Sequence, residues 1–419
     1  MRPSFSRNLT LRLLLAGVLA LCLVAGAAEG AEKEKKRKKN YILSETTARK
    51  MLKVGELAQE DDYKAALEIL DTLANRSRMK AHDKAVVYQN QGLMLAALER
   101  YPEATVSLEL ALEQDALPYS TMEQLRYNLA QLQMANENFA RAIELLVEWF
   151  ENAENPNVMA HFLLTAAYAQ TDQFDKALPH ARAMVEKSEH PAEQHLGLLL
   201  ACEYQNGNLI ETLEVLKRLT SMYPRKNYFM QLAYGYANMG EDEKALAMME
   251  LANAQGWIEK NDEYVNLAQR YLMHELPYQA SEVMQTGFDK GIIEASSKNY
   301  ELLASALLHA REYDKALPPL SKAAEMSEDG ELYVRLAQVY LEVEDWTKAR
   351  KALESAVERG GLRDPGTAQL LIGISNFNEE RFESARSAFL IAAKSKKTKE
   401  SATKWLKHVE REIGGGEPG

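Results

Sequence analysis

The sequence contains 419 residues, of which 26% are charged and 46% are hydrophobic, and this balance excludes an intrinsically disordered chain. Its 21 glycines and 12 prolines are few for its length, while alanine, leucine and glutamate are abundant, which predicts an all-α fold. The net charge is −11, and residues 41–419 alone carry −17. This negative charge argues against nucleic acid as a partner, because proteins that bind nucleic acid need a positively charged surface.

Residues 1–28 have the pattern of a cleaved secretory signal peptide. Arg2, Arg7 and Arg12 give a positive start, an apolar run follows, and residues 25–28 supply the small side chains that a signal peptidase accepts. The uncharged stretch 13–28 has 16 residues, short of the roughly 20 that a membrane-spanning helix needs, so we favour cleavage over a retained anchor. We therefore expect an exported, periplasmic protein.

The two cysteines are consistent with an exported protein whose signal peptide is cleaved. Cys22 could be lipidated after cleavage, but the bulky Leu21 precedes it where a small residue is expected, so we expect it to leave with the signal peptide. Cys202 is then a single thiol without a partner for a disulfide, and we predict that it fills space within a helix.

Residues 29–46 are predicted to be a basic disordered tail followed by the start of the first helix. Between Lys33 and Lys39 the chain carries five lysines and one arginine, with almost no apolar residue nearby. This tail is the one segment of the mature chain from which we expect direct contact with a membrane.

The body of the chain repeats a pattern in which an aromatic residue is followed three places later by alanine. Seven clear copies begin at Tyr63, Tyr101, Phe139, Phe174, Tyr313, Trp346 and Phe382, and three degenerate copies begin at Leu209, Asp242 and Pro277. Spacings of 33 to 38 residues are typical of tetratricopeptide repeats, which are helix-turn-helix units of about 34 residues. We predict a right-handed α-solenoid of about ten such repeats over residues 47–399, a capping helix at 400–413 and a disordered tail at 414–419.

Other residues support this division into repeats. Small residues recur eight places into the units, where two helices should cross closely: Gly92, Ala130, Ala233, Ala268, Ala304, Ala337 and Gly373. Gly256, Gly291 and Gly360 are expected to end second helices, and Pro179, Pro318 and Pro319 to lie in the first turn of second helices.

The sequence contains none of the common motifs for hydrolysis, phosphate binding or metal binding, so we predict no enzyme activity, no cofactor, no metal and no small-molecule substrate. His180, His190 and His195 are the nearest approach to a ligand cluster. Because a five-residue spacing does not place His190 and His195 on one helix face, we interpret all three as joint and surface residues.

Helical repeats bind partners along the face formed mainly by the first helix of each unit. The candidate peptide-binding residues on these helices are Tyr127, Gln131, Met134, Phe162, Tyr204, Met230, Tyr234, Asn238 and Gln269, with Gln124, Met159, Val265 and Gln338 beside them. Aromatic residues and methionine are enriched in protein interfaces, so these residues predict a groove for a peptide. The alternative is that several of them pack inside the solenoid. Lysine and arginine are absent from these positions, which disfavours a clamp for a C-terminal carboxylate.

The joints between the later repeats give a narrower resemblance. Two stretches, 299–362 and 364–389, are similar to tetratricopeptide proteins encoded beside TonB, ExbB and ExbD in Gram-negative bacteria. The similarity is most specific at two joints between repeats, SEDGELYVRL and ERGGLRDPG. The resemblance implies a periplasmic accessory of TonB-dependent energy transduction, with TonB, ExbB or ExbD as protein partners and no catalytic residues. A general cell-envelope adaptor and an unrecognised enzyme are the alternatives, of which the missing motifs disfavour the second.

Overall fold

The structure, a computed structural model, describes residues 41–414, and within them it contains 21 α-helices and no strand. The predicted signal peptide, Cys22, residues 29–40 of the basic tail and residues 415–419 lie outside the described residues. No helix among residues 41–414 is long and apolar enough to span a bilayer.

Contacts divide the chain into two compact units, the first ending at Tyr223 and the second beginning at Pro224. The helices of the first unit are α1 Glu45–Gln59, α2 Tyr63–Ala74, α3 Ala81–Ala97, α4 Tyr101–Glu113, α5 Tyr119–Ala135, α6 Phe139–Asn152, α7 Val158–Gln170, α8 Phe174–Glu186, α9 Glu193–Gln205 and α10 Leu209–Met222. Odd-numbered helices are the first helices of their repeats and even-numbered helices are the second.

The second unit continues the same alternation through five further repeats and ends in a single helix. Its helices are α11 Lys226–Asn238, α12 Asp242–Ala254, α13 Asn261–Met273, α14 Pro277–Asp289, α15 Ser297–His309, α16 Tyr313–Met326, α17 Glu331–Glu342, α18 Trp346–Arg359, α19 Pro365–Asn378, α20 Phe382–Ala392 and α21 Lys399–Ile413.

The repeat pattern marks the second helices. All ten second helices begin at the first residue of the pattern, from α2 at Tyr63 to α20 at Phe382, including the three degenerate copies. The alanine three places later is fully buried in every repeat that has one, as at Ala66 and Ala349. The predicted all-α fold of about ten tetratricopeptide-like repeats is thereby confirmed.

The small residues lie where the two helices of a repeat cross. A Cβ atom added at Gly92 would overlap with Leu108 of the second helix, and one added at Gly373 would overlap with Phe389. Ala304 and Ala337 are fully buried at the equivalent positions. These overlaps confirm the predicted close crossing of the two helices. A larger side chain at these positions would force the helices apart.

The turn between the two helices has the same backbone in all ten repeats. The residue two places before each second helix has a positive φ, between 56° and 77°, and in eight repeats it is not glycine. The next residue donates its N–H to a carbonyl five residues earlier, as Asp345 does to Tyr340 at 2.9 Å. This bond satisfies a carbonyl that the end of the first helix leaves free, at the cost of a left-handed residue.

Arginine–glutamate pairs join neighbouring repeats within each unit. Arg141 of α6 lies 2.7 Å from Glu109 of α4, and Arg182 of α8 lies 2.8 Å from Glu203 of α9. The Glu203 side chain is almost fully buried and also accepts a hydrogen bond from the Asn208 amide at 2.7 Å. The buried carboxylate therefore has both a charged partner and a neutral donor, as burial of a charge requires.

The helix-end residues confirm one prediction and correct another. Gly256, Gly291 and Gly360 follow second helices with φ of 71°, 68° and 76°, as expected of helix-ending glycines. The predicted place of the prolines is wrong, because Pro179 is the sixth residue of α8, and Pro318 is the sixth of α16 with Pro319 after it. They lie in the second turn, where proline removes a helix hydrogen bond.

The last helix covers the final repeat. Val409 of α21 is fully buried, and the ring of Trp405 stacks on Phe389 of α20 with 5.7 Å between centroids. Its exposed residues are mostly charged, which is the arrangement expected of the predicted cap.

Within the first unit, Cys202 is fully buried, and burial raises the pKa of its thiol to about 12, so it packs as a neutral side chain.

Candidate protein-binding surface

The first helices of repeats six and seven present matching rows of exposed side chains. The row on α11 is Asn227, Gln231, Tyr234 and Asn238, and the row on α13 is Asp262, Asn266, Gln269 and Met273; we call these eight residues the first-helix stripe. Each residue of the second row lies 35 positions after its counterpart in the first, so the two rows occupy equivalent places in successive repeats. Within a row the spacings of four, three and four place the side chains on one helix face.

Buried side chains on the opposite face fix the orientation of the stripe. Leu232 and Tyr236 of α11 are buried, and Leu267 and Tyr271 of α13 are buried in one core cluster. The Lys226 ammonium of α11 lies 2.8 Å from the Glu263 carboxylate of α13, and this ion pair is a direct contact between the two first helices. This ammonium helps to lower the pKa of Glu263, against the opposing effect of burial.

The stripe combines apolar surface with neutral hydrogen-bonding groups. Met273 is 71% exposed and Tyr234 is 69% exposed, values that are high for large apolar side chains. Five of the other six residues carry side-chain amides that could both donate and accept hydrogen bonds with a peptide backbone. Asp262 is the single acidic residue of the eight, and none of them is basic.

Three of the predicted groove residues belong to this stripe, namely Tyr234, Asn238 and Gln269. Met230 and Val265 are half-buried and pack against the core cluster between the helices, while Gln338 is exposed on α17. Sequence reasoning missed the other five residues of the stripe, namely Asn227, Gln231, Asp262, Asn266 and Met273. The 35-residue offset from Tyr234 and Asn238 to Gln269 and Met273 was the signal that could have found them.

In the first unit, two predicted groove residues are core residues. Met134 is 3% exposed and Phe162 is 4% exposed, so the prediction that they line an open groove is wrong. The Phe162 ring lies 5.6 Å from the ring of His195 in the next repeat. Three consecutive residues at the end of α5, Leu132 to Met134, are buried, so this helix has no exposed face at that point.

The other predicted residues of the first unit are divided between buried and exposed positions. Tyr127 is half-buried with its ring 5.0 Å from the Trp149 ring, and burial raises the pKa of its hydroxyl despite a hydrogen bond with Gln131. Gln131 is also half-buried. Tyr204, Met159 and Gln124 are exposed, on three different first helices. In the first unit the predicted residues therefore form no row comparable to the first-helix stripe.

A known family of helical repeats matches part of the sequence. A sequence model of the tetratricopeptide repeat family matches residues 127–194 and 334–399, one segment in each unit. Both units carry tetratricopeptide (TPR) repeats. No curated protein matches the chain.

Several TPR proteins are among the solved structures that show partial similarity to this chain. YrrB, described as "a TPR protein with an unusual peptide-binding site", is 23% identical, with 40% of this chain and 83% of that chain covered and a TM-score of 0.34. The Naa15/Naa10 complex bound to HypK-THB is 14% identical over 88% of this chain and 68% of that chain, with a TM-score of 0.43. A TPR protein from Parabacteroides merdae is 17% identical over 60% of this chain and 98% of that chain, with a TM-score of 0.30.

Arginines on the first helices of these TPR repeats are engaged in ion pairs. Arg335 of α17 contacts Glu301 at 3.3 Å and the Ser305 hydroxyl at 3.0 Å, and Arg126 of α5 contacts Glu123 and Glu148. A clamp for a C-terminal carboxylate needs cations that are free to bind the ligand, whereas these two arginines already have carboxylate partners.

Among residues 41–414, no group of three or more histidine, cysteine, aspartate or glutamate residues has a geometry that could hold a metal ion.

Two of the three histidines singled out from the sequence, His180 and His195, correct the prediction that they are surface residues. His180 of α8 is half-buried, with its Nδ1 atom 3.2 Å from the Nδ1 atom of His161 on α7, a residue that sequence reasoning did not single out. The Phe150 ring lies 4.9 Å from the His180 ring. Burial lowers the pKa of both histidines, that of His180 to about 4, so the pair is neutral at pH 7 and one ring donates to the other. His190 is exposed, whereas His195 is half-buried.

Proposed function

We propose that this TPR protein is a periplasmic protein-binding scaffold that serves as an accessory of TonB-dependent energy transduction. The observation that carries the binding role is the first-helix stripe of repeats six and seven. Its two large apolar side chains, Tyr234 and Met273, are exposed by about two thirds each. Exposed apolar residues at equivalent places in successive repeats, flanked by amides, are suited to an extended or helical peptide.

The chemistry of the stripe defines the partner segment. Gln231, Asn238, Asn266 and Gln269 carry amide groups that could hydrogen-bond to a peptide backbone, and Tyr234 and Met273 could contact its apolar side chains. Because the stripe carries almost no charge, electrostatic attraction would contribute little to binding. We infer that the bound segment is uncharged and contains at least two apolar anchors.

Export and the TonB link rest on the sequence. The pattern of residues 1–28 supports secretion to the periplasm, and the resemblance of residues 299–389 supports an association with TonB, ExbB or ExbD. In this proposal the membrane partners carry out ion conduction and force transmission, and the TPR protein holds or positions them. A general envelope adaptor could use the same stripe, but the joints of repeats eight to ten favour the TonB system.

Crosslinked co-purification from Gram-negative cells tests the proposal. The variant Tyr234→Ser/Met273→Ser removes both apolar anchors, each worth about 1–3 kcal/mol at an interface, so recovery of the partner should fall at least about 10-fold. The matched control is Leu251→Ser/Met326→Ser, which changes two other exposed apolar residues, on second helices of the same unit.

The proposal predicts that TonB, ExbB or ExbD is recovered with the wild type and with the control variant but not with the stripe variant. Equal recovery with all three proteins would remove the stripe from the account. Recovery of other envelope proteins alone would replace the TonB role with that of the general adaptor.

A further inference from the structure

A dense cluster of lysines lies at the end of the second unit. The exposed lysines are Lys394, Lys396, Lys397, Lys399, Lys404 and Lys407. Residues 394–411 contain these six lysines and one arginine against two glutamates, whereas residues 224–393 contain 18 basic and 27 acidic residues. The last repeat and its cap therefore carry a positive surface on an otherwise acidic unit.

The packing of α21 places these lysines on its outer side. Ala402 and Val409 are buried against the last repeat, so the remaining face of the helix is directed to solvent. A shallow depression of about 490 Å³ is lined by Lys396, Lys399, Glu400, Thr403, Lys404 and Lys407. Two of the lysines have carboxylate partners, Lys404 with Glu400 at 2.7 Å and Lys397 with Asp364 at 3.0 Å. Both are still at least 72% exposed, and exposed pairs of this kind are easily exchanged for another anion.

Two aliphatic residues are exposed immediately before the lysine cluster. Leu390 is 45% exposed and Ile391 is 49% exposed, at the end of α20. At the equivalent positions the two preceding second helices carry polar residues, Glu354 and Ser355 in α18 and Ser321 and Lys322 in α16. The aliphatic pair is therefore particular to the last repeat and is not required by the repeat fold.

We propose that residues 390–407 form a docking surface for an anionic phospholipid membrane. Lysine is depleted in protein interfaces and binds as a point charge without demanding a fixed geometry, which suits a fluid layer of headgroups. Each lysine near an anionic bilayer strengthens binding by about fivefold. The neighbouring Leu390 and Ile391 provide apolar surface that can enter the headgroup region.

This surface is distinct from the first-helix stripe, so it goes beyond the proposed binding role and can fail without it. One helix face binds the protein partner in repeats six and seven, and the other end of the unit holds the chain at a bilayer. The protein would then act as a bridge between a membrane surface and a soluble segment of its partner.

Sedimentation with phospholipid vesicles tests the proposal, using the full mature chain. The predicted basic tail is neutralised in every protein so that it contributes nothing, by replacement with glutamine of Lys33, Lys35, Lys36, Arg37, Lys38 and Lys39. The test variant replaces Lys396, Lys399, Lys404 and Lys407 by glutamine. The matched control makes the same change at four exposed lysines elsewhere in the second unit, namely Lys298, Lys315, Lys322 and Lys351.

With vesicles that contain roughly a quarter phosphatidylglycerol in phosphatidylcholine, the four-lysine test variant should bind about 600-fold more weakly than the control variant, since each of the four lysines contributes about fivefold. Binding of the control should also fall steeply between about 0.15 M and about 1 M salt, as screening increases. A second variant, Leu390→Ser/Ile391→Ser, should bind several-fold more weakly than the control while keeping its salt dependence, because its charge is unchanged.

Equal binding by the test and control variants would overturn the proposal. The proposal would also be overturned if the control variant bound pure phosphatidylcholine vesicles as tightly as the anionic vesicles, since the surface would then not recognise anionic headgroups. Tighter binding of the control to duplex DNA or to polyglutamate than to the anionic vesicles would assign the surface to another class of partner. The far-UV dichroism of each variant verifies that the helices are retained.

Discussion

Helices α7 and α11 occupy the same place in their repeats and have the same length of 13 residues, yet they are buried to different extents. Eight residues of α7 are buried, from Ala160 to Tyr168, whereas three residues of α11 are buried. The sequences explain this difference. In α7 the apolar residues surround the helix, and in α11 Asn227, Gln231 and Asn238 keep one face polar.

The difference shows that one repeat period can produce two kinds of surface. A first helix that is apolar on all sides is enclosed by its neighbours and contributes to stability. A first helix with one polar face retains exposed positions where a single aromatic side chain is free to contact a partner. We therefore assign stability to Phe162 and binding to Tyr234, although sequence reasoning placed both in one groove.

The largest expected effect is on the stability of the first unit. Phe162→Ala should lower the free energy of unfolding by about 3–5 kcal/mol, because it leaves a cavity among buried side chains. Tyr234→Ala, the matched change on α11, should alter it by less than about 0.5 kcal/mol, because the side chain is mostly exposed. Denaturant unfolding of the two variants, monitored by dichroism, measures both values. Similar losses from the two substitutions would remove the distinction between the two helices.

A medium effect should come from acid, and it should be confined to the first unit. Burial lowers the folded-state pKa of His161 and His180, so below about pH 6.5 the unfolded chain binds more protons than the folded one. Stability should thus be complete above that pH and should fall by about 1–2 kcal/mol as pH drops from 7 to 5, given the partial exposure of both rings.

Hydrogen exchange measured at several pH values can locate this effect. Amides of α7 and α8 should lose protection on acidification more than amides of α11 and α13 do, because repeats open locally. His161→Gln/His180→Gln should flatten the pH dependence in α7 and α8. A wild-type response that is uniform across all helices would contradict a local origin in the histidine pair.

The smallest expected effect concerns the turns that all repeats share. Glu344 has a φ of 59°, and no glycine provides this conformation in its repeat. Glu344→Gly should stabilise the protein by up to about 1 kcal/mol, because the left-handed backbone is unfavourable for a residue with a Cβ atom. Thermal unfolding measures the change, and Glu342→Gly within the helix before it serves as the opposite control, expected to destabilise. A lower melting temperature for Glu344→Gly would show that its side chain contributes more than the strain costs.

Much of the fold could be predicted from the sequence, because one short pattern carried most of the information. The first position of the pattern marked the start of all ten second helices, because a small residue recurs three places later where the two helices cross closely, alanine in nine repeats and Thr212 in the fifth. Even Asp242 and Pro277, which are not aromatic, were placed correctly by their distance from neighbouring copies.

The candidate surface was harder to predict, because helical periodicity assigns a face without showing what covers it. Phe162 and Tyr234 both have the spacing of first-helix surface residues, and only the position of the following repeat separates them. For Phe162 the next repeat contributes the His195 ring at 5.6 Å, a contact between residues 33 positions apart. The pairing of His161 with His180 was missed for the same reason.

Site-specific photocrosslinking tests the central claim most directly. A photoreactive amino acid is placed at Tyr234 in the first-helix stripe or at Leu251, an exposed apolar residue on the second helix α12. Cells are then irradiated and adducts of the protein are identified by mass spectrometry. Our account predicts an adduct with a single envelope protein from position 234 and none from position 251. An adduct from position 251 alone, or the same adduct from both positions, would contradict the assignment of binding to the first-helix stripe.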